Sequence, residues 1–79
     1  MEMLSFSYQR RNQMKAMFSR FPESVVTFRM IRSYYFVYNI RWSENDPIVV
    51  KKDLIEMEWL LNKELGLEEE YRKRKRVSL

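Results

Sequence analysis

Residues 24–42 read SVVTFRMIRSYYFVYNIRW, and this stretch decides the predicted fold. Its apolar and polar residues alternate with a period of two, which is the pattern of a strand with one buried face. The alternation predicts strands over residues 24–31 and 34–42, paired antiparallel around Arg32 and Ser33. That link lacks the Asn-Gly or Asp-Gly pair of a tight primed turn, so the turn type stays open. A single bent strand is the lesser alternative.

We expect one face of this hairpin to build the core and the other to meet solvent. The predicted core face holds Tyr34, Phe36, Tyr38, Ile40 and Trp42. The predicted outer face carries Arg29, Tyr35, Asn39 and Arg41. An aromatic ring flanked by arginines on an open sheet can stack a nucleic-acid base and hold phosphates. Outward residues of ordinary antiparallel sheets have the same composition, so a purely structural interpretation competes with this hypothesis.

The segment before the hairpin, residues 7–21, reads SYQRRNQMKAMFSRF and favours a helix. Its large apolar residues lie at helical spacing: Met14, Met17, Phe18 and Phe21. Ser7 is a candidate N-cap and Pro22 closes the segment, which predicts a helix over residues 8–20. We interpret its methionine and phenylalanine stripe as core.

Residues 43–47, SENDP, form the clearest loop in the chain, and two interpretations of the next residues remain open. In the preferred one, residues 48–50 form a short third strand, and Asp53 and Glu56 then build a capping box at the start of a helix. In the other, Asp46 caps a longer helix that has Pro47 at its first position.

Both interpretations predict the same helix up to Gly66, the only glycine and a natural terminator. Its core stripe is Leu54, Met57, Leu61 and Leu65. Ile55 and Trp59 form a second apolar patch, about 120° around the helix, which we consider a candidate protein interface.

Composition excludes several kinds of site. The chain of 79 residues has no cysteine and no histidine, which rules out disulfides, thiolate or imidazole zinc sites and a Ser-His-Asp triad. One glycine cannot build a glycine-rich phosphate loop. A magnesium-dependent nuclease would have to use Asp46, Asp53 and nearby glutamates, but the sequence contains no recognisable acid-and-lysine nuclease pattern. We therefore expect a non-enzyme without metal or cofactor.

Positive charge is unevenly placed along the chain, whose net charge is +4. Residues 1–42 hold seven Lys/Arg against two acids, and residues 43–79 hold eight against nine, with RKRKR at 72–76. Clustered positive charge favours a polyanionic partner, because each neutralised phosphate releases counterions. Further candidate nucleic-acid contacts are Arg10, Arg11, Lys51, Lys52, Arg72, Lys73, Arg74, Lys75 and Arg76. The last five could instead end a solvated helix and pair with the glutamates at 68–70.

The sequence as a whole predicts one small α+β domain over residues 1–79. The expected order is a helix, an antiparallel β-hairpin with or without a short third strand, and a second helix. We expect the core over residues 7–66 and a basic tail over 67–79. The leading hypothesis is a cytoplasmic regulatory protein that binds nucleic acid through its basic surface. The alternative is a protein-binding inhibitor or adaptor of the phage or mobile-element type, or a homodimer. No membrane segment and no small-molecule substrate are expected.

Overall fold

The computed structural model describes residues 1–75, and their side chains as far as residue 73. Four strands come first and two helices follow. The elements are β1 (Met3–Arg10), β2 (Gln13–Phe18), β3 (Phe21–Ile31), β4 (Tyr34–Arg41), α1 (Lys51–Glu64) and α2 (Glu68–Lys75). The strands form one antiparallel sheet in the order β1-β2-β3-β4, so every hairpin joins strands that are neighbours in the sequence.

The predicted first helix is wrong, because residues 8–20 contribute the end of β1 and all of β2. The buried residues of β2 are Met14, Ala16 and Phe18, which alternate with a period of two. Met17, assigned to the helical stripe, points away from these three. Pairing of β2 with β1 and β3 on both sides outweighs the local helical preference of Gln, Met, Lys and Ala.

The central hairpin is confirmed, with β3 three residues longer at its start than predicted. Ile31 pairs with Tyr34, so Arg32 and Ser33 form a two-residue turn. Arg32 has a φ of 66°, a left-handed conformation that only some residues adopt without strain. The turn thus has the positive φ at its first position that Asn or Gly usually provides, although neither residue is present here.

The predicted division of the hairpin into faces is wrong because β4 contains a bulge. Phe28 faces Val37 while Thr27 faces Asn39, which leaves Tyr38 as the extra residue of β4. A bulge interrupts the period of two, so residues on its two sides no longer follow one parity. The predicted core set Tyr34, Phe36, Tyr38, Ile40 and Trp42 is therefore split: Ile40 packs against the main core cluster and Tyr34 against the buried Tyr71, whereas Tyr38 and Trp42 are exposed.

Tyr35 is also placed on the wrong face by the sequence prediction. Its side chain is 6% exposed and belongs to the core together with Phe28 and Met14. Tyr35 and Val37 precede the bulge and face the helices, whereas Phe36 lies between them on the opposite side. The face of β4 that was predicted to meet solvent thus supplies part of the core.

The core lies between the inner face of the sheet and α1. Its fully buried sheet residues are Phe18, Phe21, Val26 and Phe28. The rings of Phe18 and Phe28 meet edge to face, with their centroids 6.2 Å apart. The predicted helical stripe is confirmed, since Met57 and Leu61 are fully buried and the other two members pack against the cluster. Each large side chain buried in this way contributes about 1.5–3 kcal/mol of transfer free energy.

Neither interpretation of the loop before α1 is correct. Residues 47–50 form no regular secondary structure, and α1 begins at Lys51 with Val50 at the N-cap. The Asp53 carboxylate accepts a hydrogen bond from the Val50 N–H at 3.1 Å and another from the Arg20 guanidinium at 2.7 Å. Asp53 thus holds the helix start to the turn between β2 and β3.

Asp46 ties the loop to the sheet and does not cap the helix. One of its oxygens accepts hydrogen bonds from the Glu23 N–H at 3.0 Å and from the Ser24 hydroxyl at 2.6 Å. Both Asp46 and Ser24 are buried, so this pairing satisfies polar groups that water does not reach.

Gly66 ends α1 as predicted. Its φ is 76°, the Leu67 N–H bonds the Asn62 carbonyl at 2.7 Å, and the Gly66 N–H bonds the Lys63 carbonyl at 3.1 Å. These two bonds are those of a Schellman motif, in which glycine adopts the left-handed conformation at lowest cost.

No helix in the described part of the chain is long and apolar enough to cross a membrane.

Side chains of α1 cover the free edge of β4. The Asn62 amide accepts from the Tyr35 N–H and donates to the Tyr35 carbonyl, both at 2.8 Å. One Glu58 oxygen accepts from the Val37 N–H at 2.8 Å, and the other accepts from the Tyr71 hydroxyl of α2 at 3.0 Å. Glu58 and Asn62 are one helical turn apart, so a single helix face satisfies the strand edge.

Alkaline pH is expected to destabilise this fold through Tyr71 and Tyr35. Burial and then the Glu58 carboxylate raise the pKa of Tyr71, and burial and then Tyr8 raise the pKa of Tyr35, both from an ordinary value of 10.0. Above about pH 10 the unfolded chain therefore loses these protons before the folded chain does, and stability falls by up to about 1.4 kcal/mol per pH unit for each group.

Denaturant unfolding between neutral and strongly alkaline pH checks this dependence. Tyr71→Phe removes one of these two groups and is expected to flatten the alkaline decline relative to the parent chain. An identical decline in the parent chain and in Tyr71→Phe would contradict the role of Tyr71.

Candidate nucleic-acid interface

Within residues 1–75, no helix or loop covers the face of the sheet that points away from α1 and α2, and we call it the outer face. Cross-strand register defines its members, since Ser7, Lys15, Thr27 and Asn39 lie opposite one another across the four strands. A second row further along the sheet comprises Gln13, Arg29 and Phe36. Ser5, Met17, Val25 and Arg41 extend the same face toward the other end of the sheet.

Lys15, Arg29 and Arg41 give the outer face its positive charge, and the one acid of the strands that continues the same alternation is Glu23, beyond Val25 at the start of β3. Arg41 lies opposite Val25, four residues from Arg29 along β3, so these two backbone positions are roughly 13 Å apart along the strand direction. Lys15 lies at an intermediate level on β2. Within the described residues, the salt bridges involve none of these three cations. They are available to an external anion.

An aromatic ring accompanies the cations. The Arg29 guanidinium lies over the Tyr38 ring, 4.6 Å from its centroid, and Tyr38 is 56% exposed. The bulge in β4 turns this ring outward. Arg29 covers one side of the ring, while a ring of this exposure offers the rest of its surface for stacking. Phe36, half-buried in the neighbouring row, widens the apolar part of the face.

Two turns add positive charge at one end of the sheet. Arg10 and Arg11 lie at the turn between β1 and β2, and Arg32 lies at the turn between β3 and β4. The Met30 N–H donates to the Asn12 carbonyl at 2.8 Å, which ties the two turns together. All three arginines are exposed, so they form a basic rim beside the outer face.

The described acids lie elsewhere. Those of the first 50 residues, Glu2, Glu23, Glu44 and Asp46, are at the end of the sheet opposite the basic rim. The others are on α1 and α2. Within residues 1–73, no three acidic side chains are close enough to hold a metal ion together. The basic rim therefore lies at the end of the sheet away from the four acids of the first 50 residues, while α1 and α2 carry equal numbers of acidic and basic residues.

The outer face contains three of the four predicted outward residues. Arg29, Asn39 and Arg41 lie on it and are exposed, while Tyr35 is buried beneath the sheet. Lys15, Phe36 and Tyr38 were missed. Recognition of β2 as a strand would have placed Lys15 outward, because it alternates with Met14 and Ala16. No sequence signal marks the bulge that exposes Tyr38.

Of the predicted contacts in the second half of the chain, Lys51, Lys52, Arg72 and Lys73 are not brought to this face. Lys51 and Lys52 are exposed in the first turn of α1. The Arg72 guanidinium lies over the Trp59 ring, 5.3 Å from its centroid. The Lys73 ammonium nitrogen is 3.7 Å from a carboxylate oxygen of Glu70. Arg74 and Lys75 belong to α2, with side chains outside the described part, and Arg76 lies outside the described residues.

The predicted protein-interface patch is partly covered within the chain. Trp59 is half-buried, with its ring centroid 6.4 Å from that of Tyr71 on α2. Ile55 is half-buried on the same helix. Docking of α2 thus gives Trp59 an intramolecular partner, and its role in an interface remains a prediction.

Comparison with known proteins identifies a family. No curated protein and no solved structure matches the chain. A family model with the description "Uncharacterised protein YuzH" matches residues 2–76, which is nearly the whole sequence. The chain therefore belongs to the YuzH family.

Proposed function

We propose that the protein is a small non-enzymatic regulatory protein of the cytoplasm that binds single-stranded nucleic acid across the outer face. The presence of Lys15, Arg29 and Arg41 on one face of the sheet, with the exposed Tyr38 ring against Arg29, carries this proposal. Cations on such a face neutralise phosphates, and the ring stacks on a base without regard to its identity. A flat sheet face suits a single strand, whose bases are free to splay onto it.

Arg29 has a specific role in this arrangement. Its contact with the Tyr38 ring restricts both side chains before nucleic acid binds. Less side-chain entropy is therefore lost on binding. The basic rim at Arg10, Arg11 and Arg32 extends the positive surface past the end of the sheet. A strand longer than the outer face is expected to continue along this rim.

Titration of labelled single-stranded oligonucleotides at two salt concentrations tests the proposal. If three phosphates are neutralised, affinity should fall about 20-fold between roughly 50 and 200 mM salt. A double variant in which Arg29 and Arg41 are both replaced by glutamine keeps one such contact. The same change in salt should then lower its affinity for the oligonucleotide only about threefold. Its melting temperature should stay close to that of the parent chain, because both residues are exposed.

A matched control separates the outer face from net charge. Lys52→Gln with Lys63→Gln removes the same two charges from α1, where both lysines are exposed. This control should keep nearly the parent salt dependence and affinity. Absence of binding by the parent chain at low salt, or equal losses in the two double variants, would overturn the proposal.

A further inference from the structure

The two edges of the sheet differ. Glu58 and Asn62 of α1 cover the β4 edge by hydrogen bonding to its backbone. β1 pairs with β2 on one side only, and within the described part of the chain no element covers its other side. An uncovered edge strand presents a row of backbone donors and acceptors to any strand of matching surface.

The inner side of β1 is apolar and largely uncovered. Leu4, Phe6 and Tyr8 are 55%, 41% and 65% exposed, because α1 packs over β4 at the far side of the sheet. An open cleft of about 620 Å³ lies between β1 and α1, lined by Leu4, Phe6 and Leu60 among others. A strand added to the β1 edge would bring its own inner side chains against this apolar row.

The sequence of β1 is complementary to itself. Consider two β1 strands from two copies, paired antiparallel with a two-fold axis at Phe6. Phe6 of one copy then faces Phe6 of the other, and Leu4 faces Tyr8. Glu2 then faces Arg10, and no charged residue lies between them. Register shifts leave one extra residue on each side of Phe6, Leu4 and Gln9. The two opposed stretches, 2–5 of one copy and 7–10 of the other, therefore contain one extra residue each, and Glu2 still reaches Arg10.

We infer that two copies of the chain pair through their β1 edges, antiparallel around Phe6, to form one continuous eight-stranded sheet. Apolar residues then meet across the axis, and the opposite charges of Glu2 and Arg10 meet at each end of the pair. The association stops at two copies, because the sheet edges that remain among the described strands are the two β4 edges, which α1 covers. The two-fold axis is perpendicular to the sheet and keeps both outer faces on the same side.

Molar mass in solution tests this pairing directly. Light scattering of the parent chain should give twice its mass of 9.9 kDa. Phe6→Lys places two positive charges opposite each other at the axis, so this variant should be monomeric. Ile48→Lys adds the same charge at a loop position that is 75% exposed, and it should remain dimeric. A monomeric parent chain, or a Phe6→Lys variant that stays dimeric, would overturn the inference.

A charge exchange tests the register even if Phe6→Lys fails to fold. Glu2→Arg places two arginines opposite each other at each end of the pair and should raise the dimer dissociation constant about tenfold or more. Combining Glu2→Arg with Arg10→Glu restores opposite charges across the axis and should restore dimerisation. An unchanged dissociation constant for Glu2→Arg, or no recovery in the double variant, would exclude this register.

Discussion

Replacing Asn62 with leucine is expected to lower the free energy of unfolding by about 2–5 kcal/mol. In the folded chain, the Asn62 amide satisfies both the N–H and the carbonyl of Tyr35 at 2.8 Å. Leucine is similar in volume but offers neither a donor nor an acceptor, and each buried backbone group left without a partner costs about 1–3 kcal/mol. A domain of this size has a stability of roughly 4–12 kcal/mol, so the loss is a large part of the total.

Urea unfolding, compared at unchanged m-value, measures this loss. Asn39→Leu is the matched control, since Asn39 lies on β4, the strand whose edge Asn62 covers, and is exposed on the outer face. It should change stability by no more than about 0.5 kcal/mol. A loss below about 1 kcal/mol for Asn62→Leu would mean that water replaces the amide at the strand edge.

The polar residues of α1 thus decide how the sheet ends. Asn62 and Glu58 lie on the helix face beside the apolar stripe and hydrogen-bond to β4 instead of to solvent. Burial of a carboxylate and an amide is costly unless every lone pair and proton finds a partner. Within the described residues, no buried side-chain nitrogen or oxygen lacks one. This arrangement leaves β1 as the open edge, which connects the packing of α1 to the proposed pairing.

The sequence predicted the second half of the chain better than the first. The pattern of Leu54, Met57 and Leu61 has only one interpretation, because their spacing fits a helix and not a strand. The pattern of residues 7–21 has two interpretations. Met14 and Phe18 are four positions apart, and this spacing fits both the 3.6-residue period of a helix and the two-residue period of a strand. Ala16, 2% exposed, is the residue that distinguishes them, but its small side chain gives a weak apolar signal. Long-range pairing between strands then decided the outcome.

The candidate site was predicted in part for a related reason. Arg29 and Arg41 are outward because the alternation of β3 and the end of β4 follow the expected parity. Tyr35 and Tyr38 exchange roles because Tyr38 is itself the extra residue of the bulge and shifts the alternation of β4. Both are tyrosines in an aromatic-rich segment, so neither composition nor hydrophobicity distinguishes the buried ring from the exposed one.

Tyr71→Ala is expected to lower the free energy of unfolding by about 3–5 kcal/mol, the usual cost of truncating a large aromatic residue in a core. Tyr71 is 1% exposed, although it lies five residues beyond the predicted end of the core. Its ring meets Tyr34 edge to face at 5.5 Å, and its hydroxyl donates to Glu58. Alanine would leave a cavity above β4 and remove the main apolar anchor of α2.

Hydrogen exchange and urea unfolding together distinguish this effect from a local one. Loss of the anchor should abolish the protection of amides in α2 and reduce that of the β4 edge, because Glu58 loses a partner that helps to orient it. Arg72→Ala, next in sequence and exposed, removes only a contact with Trp59 and should cost about 1 kcal/mol or less. Similar losses in the two variants would show that α2 adds little to the core. A loss confined to Tyr71→Ala would establish α2 as part of the folded domain.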